Sequence, residues 1–246
     1  MAKIVIFGAT SAIAYETAKC FANKKSEILL LGRDMIKLDI LAADLRAHSP
    51  KAIIKTGHFD ALEMKEHEAV FDSALAELGS IDAALIAFGS LPDEKATEKN
   101  ISLLQHEYTT NATAVISIAS VVANYFEEQN AGTLAVISSV AGDRGRQSNY
   151  IYGSAKAAVS AFLQGLRNRF GKTPVKIITI KPGMVDTPMT AHLKKGLLFA
   201  SARTVGEGIF DAMTRGKEIV YLPGYWRLVM FIVKHIPESI FKKLSL

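Results

Sequence analysis

Tyr152 and Lys156 stand four residues apart in YGSAK, thirteen residues after Ser139. Residues at i and i+4 share one helical face, so the phenol and the ammonium can reach one pocket. An unperturbed tyrosine ionises near pH ~10 and is a poor acid-base catalyst at neutral pH. A fixed cation beside it favours the phenolate, and a fall of about three pKa units needs roughly 4 kcal/mol of differential interaction. A general acid tuned toward the working pH is what carbonyl reduction requires. Tyr150 offers an internal comparison, because its i+4 partner is Ser154 and carries no charge. Taken alone the pair also fits an ordinary surface contact; its weight comes from the surrounding chain.

Short β-rich runs alternate with longer amphipathic ones, the pattern of a parallel sheet covered by helices. The pattern predicts strands near Lys3–Phe7, Glu27–Leu31, Ala52–Lys55, Ile81–Ala87, Gly132–Ile137, Val175–Ile180 and Glu218–Tyr221. It predicts helices over Met35–His48, Leu62–Leu78, Leu103–Glu127 and Tyr150–Phe170. Parallel strands buried on both faces read as unbroken apolar runs, and IVIF, ILLL and IITI do so. The expectation is one doubly wound α/β domain over residues 1–223, followed by an amphipathic tail over 224–246. Ligands of such a fold sit beyond the carboxyl ends of the strands. Gly8, Gly32 with Arg33, Gly89, Ser139 and Pro182 with Gly183 all fall at that edge.

The turn GATSAIA, Gly8 to Ala14, leads from the first strand into a helix. Its small residues let backbone N–H groups approach a pyrophosphate. Together with the later motifs it resembles the short-chain dehydrogenase/reductase family, over about residues 1–220. That family has glycine at the positions of Gly8, Ala12 and Ala14, so two glycines are alanine here. The resemblance implies a Rossmann-type sheet of about seven strands that binds a nicotinamide dinucleotide. Gly8, Thr10, Ser11, Ala12 and Ile13 would meet its phosphates, Asp60 its adenine and Gly89 its centre. Pro182, Gly183, Val185 and Thr187 would lie along the nicotinamide. Where an NAD-preferring site carries Asp or Glu, this chain has Gly32 and Arg33. A guanidinium there can grip a 2′-phosphate in a fork, which predicts NADPH over NADH.

By position in the family, the catalytic set is Asn111, Ser139, Tyr152 and Lys156. Tyr152 would give its proton to a substrate oxygen held by Ser139, as the pro-S hydride of NADPH reaches the carbonyl carbon. Lys156 would bond the nicotinamide ribose and hold the phenol acidic, and Asn111 would position a water leading to solvent. Ser138 is the rival to Ser139; the two face opposite sides of an extended strand, and the spacing to Tyr152 favours Ser139. Arg144 and Arg146, in VAGDRGRQSNYI, stand beside the expected substrate mouth. They suit either a solvated loop or recognition of an anionic group such as a phosphodiester.

The tail holds three of the five net positive charges of the 246-residue chain, and the body shows no basic stripe that would suit nucleic acid. Its apolar run Leu228–Val233 is far shorter than the roughly 20 residues that span a bilayer. Aromatics and cations around such a run fit a helix lying in a membrane interface. Packing against a sister subunit is the other reading, and homo-oligomers are common in the family. Within the family the chain most resembles the branch containing the reductase half of the decaprenylphosphoryl-ribose epimerase, which acts on a lipid-linked keto-pentose. That implies a keto-sugar substrate of a cell-envelope polysaccharide route. Competing readings are a soluble reductase of small hydrophobic ketones and a non-catalytic NADPH-binding regulator; the intact catalytic set speaks against the last. The single cysteine, Cys20, and an opening that runs directly into a strand fit a reducing, cytoplasmic setting. No metal site is expected.

Overall fold

The structure is a computed structural model and describes residues 1–244. Nine strands form: β1 (Lys3–Phe7), β2 (Glu27–Gly32), β3 (Ile53–His58), β4 (Ala83–Ile86), β5 (Thr133–Ile137), β6 (Lys176–Pro182), β7 (Val185–Asp186), β8 (Ala200–Ser201) and β9 (Ile219–Leu222). Ten α-helices accompany them among the described residues. The first six are α1 (Ala12–Asn23), α2 (Met35–His48), α3 (His67–Leu78), α4 (Glu94–Glu98), α5 (Ile101–Tyr108) and α6 (Ala114–Glu128). The last four are α7 (Tyr150–Arg169), α8 (Ala202–Arg215), α9 (Trp226–His235) and α10 (Glu238–Phe241).

Seven strands make one parallel sheet in the order β3-β2-β1-β4-β5-β6-β9, and β7 and β8 pair separately. The alternation of side chains along β1 shows how the layers form. Ile4 and Ile6 enter the core under α1, α2 and α8, while Val5 and Phe7 enter the core under α3, α6 and α7. Both faces are therefore covered, and IVIF has no solvent side. Strand order reverses at β1, whose neighbours are β2 and β4. Phe7 is level with Leu31 on one side and Ile86 on the other, so the turns after β1, β2 and β4 open at one edge.

Two expectations are corrected by local geometry. The helix expected over Leu103–Glu127 is broken by a π-helical turn, Thr109–Thr113, between α5 and α6. The one expected from Leu62 begins at His67, after a 3-10 turn over Met64–Glu66. The short α4 has no counterpart in the sequence reading. Its Glu94 carboxylate accepts the Ile151 N–H at 2.5 Å and thereby caps the start of α7. A carboxylate suits that end of a helix dipole.

The segment after residue 223 packs on the body as far as it is described. Trp226 and Met230 of α9 are buried with Val140, leaving Leu228, Phe231 and Ile232 exposed. Ser245 and Leu246, the end of the expected tail, lie outside the described residues.

Candidate active site

A cavity of about 210 Å³ opens at the carboxyl edge of the sheet. Asn111, Ser139, Tyr152 and Lys156 all line it. Helix α7 carries the phenol and the ammonium on one face, and the Lys156 nitrogen lies 5.7 Å from the Tyr152 ring centre. Lys156 is almost wholly buried, with a long 3.4 Å hydrogen bond to the Ile137 carbonyl. Asn111 sits in the π-helical turn, a distortion frequent at functional sites. Its amide donates to the Ser90 hydroxyl at 3.0 Å and to the Glu107 carbonyl at 3.1 Å, and its oxygen accepts the Ser90 N–H at 3.1 Å.

The two neighbouring serines have different surroundings. Ser138 is buried and donates to the Lys156 carbonyl at 3.0 Å, with the Ser160 hydroxyl 2.8 Å away. Ser139 accepts the Ala141 N–H at 3.1 Å, and its hydroxyl lies on the same cavity as the Tyr152 phenol, whose pKa it lowers. A substrate oxygen would sit between these two hydroxyls.

Burial dominates the electrostatics of the pair. Burial pushes the Tyr152 phenol up to about 12, and the Ser139 hydroxyl pulls only weakly the other way. Burial likewise brings Lys156 down to about 8. Loss of solvation shifts each side chain toward its neutral form: the phenol is protonated at neutral pH, ready to donate, while the Lys156 amine still carries its proton below about pH 8.

At the nucleotide end, the first backbone bond of α1 runs from the Tyr15 N–H to the Ser11 carbonyl at 2.9 Å. The N–H groups of Ala12, Ile13 and Ala14 therefore have no carbonyl behind them, and the Ser11 hydroxyl makes no capping bond. Ala12 is helical and needs no positive φ, so the alanine costs no backbone strain. Ala14 is fully buried in the core. Ser11, Ile13, Gly89 and Val185 line the cavity, as do Pro182, Gly183 and Thr187. Gly8 and Thr10 belong to the adjoining turn, and Ala12 opens α1. Asp60 follows β3, where its carboxylate accepts the Leu62 N–H at 3.0 Å. Gly89 leaves room: a Cβ there would lie 2.9 Å from the Asn111 oxygen and 3.3 Å from the Lys156 nitrogen. Arg33 is exposed after β2 and makes no hydrogen bond or ion pair among the described residues, while Asp34 caps α2 through the Lys37 N–H at 2.9 Å. Free donors, a bare approach and an unpaired guanidinium suit a phosphorylated dinucleotide laid along this edge.

Two residues beside the expected mouth part company. Arg146 lines the cavity, and burial lowers its pKa. Arg144 does not line it. Its guanidinium donates to the Val233 and Ile236 carbonyls at 2.6 and 2.7 Å, pairs with Glu238 at 2.9 Å and stacks on Phe241 at 3.6 Å. Arg144 is an anchor for α9 and α10, and its expected place at the substrate is corrected. Asp143 ties the same turn to the sheet: it pairs with Lys181, and the Tyr221 hydroxyl donates to it at 2.7 Å.

Residues 2–197 match the family described as short chain dehydrogenase. An uncharacterised oxidoreductase of Streptomyces coelicolor is 33% identical over 98% of this chain and 95% of its own. The chain belongs to the short chain dehydrogenases. Among solved structures of that fold, the bulky-bulky ketone specific alcohol dehydrogenase of Comamonas testosteroni superposes with a TM-score of 0.79 at 22% identity, over 97% of this chain and 96% of that one. A short-chain dehydrogenase of Sphingobium yanoikuyae, in complex with NADPH, gives 0.78 at 21% identity, over 97% and 98%. This short chain dehydrogenase is thus an oxidoreductase with the Rossmann-type sheet its strand runs predicted.

The sequence reading missed several cavity residues, among them Trp226, Asn149, Ser90, Met189 and Leu193. Trp226 stands out. Its ring occupies the space beside Gly183 so closely that a Cβ on that glycine would fall 1.9 Å from the indole. Its place in an aromatic-basic segment suggested a membrane interface, and nothing local in the sequence marks it as a wall of the pocket.

Proposed function

We propose that this short chain dehydrogenase uses NADPH to reduce a keto group to a secondary alcohol, on a keto-sugar carried by a lipid. The observation that carries the reading is that Tyr152, Lys156, Ser139 and Asn111 line one cavity, which the nucleotide edge continues. NADPH, when bound, supplies the hydride. Ser139 and Tyr152 hold the carbonyl oxygen, and Tyr152 delivers the proton to it as the carbon is reduced. Lys156 orients the ribose beside the phenol, and Asn111 fixes the turn that faces it. Preference for NADPH rests on Arg33, with no carboxylate at Gly32 to repel a 2′-phosphate.

The lipid part of the reading is supported by α9. Leu228, Phe231 and Ile232 are exposed, with Arg227 and Lys234 on the same short helix and Lys242 and Lys243 following. No helix among the described residues is long and apolar enough to cross a membrane, so contact would be peripheral. Apolar side chains bordered by cations fit an anionic bilayer surface. The same face could pair two copies of the chain, and liposome sedimentation alongside oligomer size separates the two.

The test is NADPH oxidation, followed with keto-sugar phospholipids and simple ketones in parallel. Tyr152→Phe should lower reduction about a thousandfold while NADPH still binds, since positioned proton transfer is worth about 10²–10⁴. Normal turnover in that variant refutes the mechanism. Activity confined to simple ketones removes the lipid-sugar assignment and leaves the hydride chemistry standing.

A further inference from the structure

Ser90, Glu107 and Asn111 form a closed hydrogen-bond cluster beside the cavity. The Ser90 hydroxyl donates to Glu107 Oε2. The Asn111 amide donates to that same oxygen at 3.3 Å, to the Ser90 hydroxyl at 3.0 Å and to the Glu107 carbonyl at 3.1 Å. The Ser90 N–H returns to Asn111 Oδ1 at 3.1 Å. Ser90 and Asn111 line the cavity and Glu107 does not, so Glu107 can reach a substrate only through them. Glu107 forms no ion pair among the described residues, so its carboxylate serves these neutral donors rather than a cation.

A carboxylate only accepts, whereas a side-chain amide donates from nitrogen and accepts at oxygen. Reversing the Asn111 amide would set its oxygen against the Glu107 carboxylate and its N–H groups against the Ser90 N–H. The network therefore fixes one orientation. In that orientation the oxygen approaches Gly89, where a Cβ would lie 2.9 Å from it and 3.3 Å from the Lys156 nitrogen. An ammonium only donates, and the other acceptor of Lys156 among the described residues is the Ile137 carbonyl at 3.4 Å. An oxygen on this side, reached directly or through one water, suits the ammonium; N–H groups there would oppose it.

We propose that Glu107 is a positioning residue for the reduction: with Ser90 it holds the Asn111 amide so that its oxygen, not its nitrogen, faces the side of Gly89 that Lys156 also approaches. The lysine is thereby kept in place for its work beside Tyr152. The proposal rests on the reductase reading and adds to it a carboxylate that never touches the reacting atoms. Misplacing a catalytic group by an ångström costs about a hundredfold in rate, which sets the size of the effect.

The assays follow NADPH oxidation with cyclohexanone by the wild type, Glu107→Leu and Glu107→Gln. Glu107→Leu should lower kcat by about tenfold to a hundredfold while KM for NADPH holds, because orientation rather than binding is lost. Glutamine keeps an oxygen able to accept both bonds, so Glu107→Gln should recover most of the rate. Both residues act through one amide, so adding Glu107→Leu to Asn111→Ala should cost nothing further. NMR of isotope-labelled asparagine reads the cluster without turnover, the Asn111 side-chain signal being the one that Asn111→Ala removes. Its amide protons should exchange slowly with solvent in the wild type and Glu107→Gln, and quickly in Glu107→Leu. Should Glu107→Leu fail to fold, Ser90→Ala removes the shared hydroxyl and carries the same expectations. Unchanged kcat, a loss that multiplies with that of Asn111→Ala, or unchanged exchange overturns the role of Glu107 and leaves the reductase reading standing. A wild type that reduces no ketone counts against the reductase reading instead, and amide exchange then decides whether Glu107 holds Asn111.

Discussion

Replacing Lys156 with methionine should make the cofactor-free protein more stable at neutral pH. Lys156 is almost completely buried, and its pKa falls from 10.5 to about 8 for want of solvation. Each pKa unit is worth about 1.4 kcal/mol, so the charged lysine costs the fold about 3 kcal/mol. Below pH 8 the amine is protonated in folded and unfolded chains alike, and that cost is fully present. Between about 8 and 10.5 the folded protein gives up its proton first, so wild-type stability rises with pH across that window; above it the cost is gone. Methionine has similar length and no charge, and sacrifices only the long bond to Ile137. For a chain of this size about 3 kcal/mol corresponds to roughly 6–12 °C in Tm. Differential scanning calorimetry of Lys156→Met and wild type at pH 7 and pH 10.5 is the assay. The variant should melt higher at pH 7, and the gap should close at pH 10.5. A variant that melts at or below wild type at pH 7, or a gap that ignores pH, refutes burial as the dominant force on this side chain. Reductase activity should be lost in the same variant, a trade of stability for function.

Other outcomes follow from named contacts. Arg33→Ala should weaken NADPH binding by about tenfold to a hundredfold and leave NADH unchanged, as calorimetric titration would read, because a charge-assisted fork to the 2′-phosphate is removed. Arg144→Ala should cost about 1–3 kcal/mol, since one half-buried guanidinium holds two carbonyls and an exposed carboxylate. Hydrogen exchange should then rise over residues 226–241, and unchanged protection there would contradict the anchoring role. Gly183→Ala should destabilise by about 1–3 kcal/mol through overpacking and shift the emission of Trp226; a silent alanine would mean the glycine and the indole are not in contact.

The parts of the fold legible in sequence were those written in local pattern. IVIF, ILLL and IITI are apolar on both faces because both faces are covered, and i to i+4 spacing alone put Tyr152 and Lys156 on one side of α7. What escaped was set by contacts distant along the chain. Arg144 meets Val233 and Ile236 across 89 and 92 residues, and no neighbour in sequence announces that. The π-helical turn at Asn111 falls in TTNAT, weak helix formers whose sequence names no π-turn, and it brings Asn111 to Ser90 and Glu107. The direction of the Tyr152 shift depends on how the phenol is buried, a property of the assembled walls rather than of YGSAK. Trp226 and Asn149 were missed for the same reason.

Helix α9 has two sides with different neighbours. Its inner side walls the chamber through Trp226, while Leu228, Phe231 and Ile232 point outward. Any change that reseats this helix therefore alters the shape of the chamber and the outer apolar face at once.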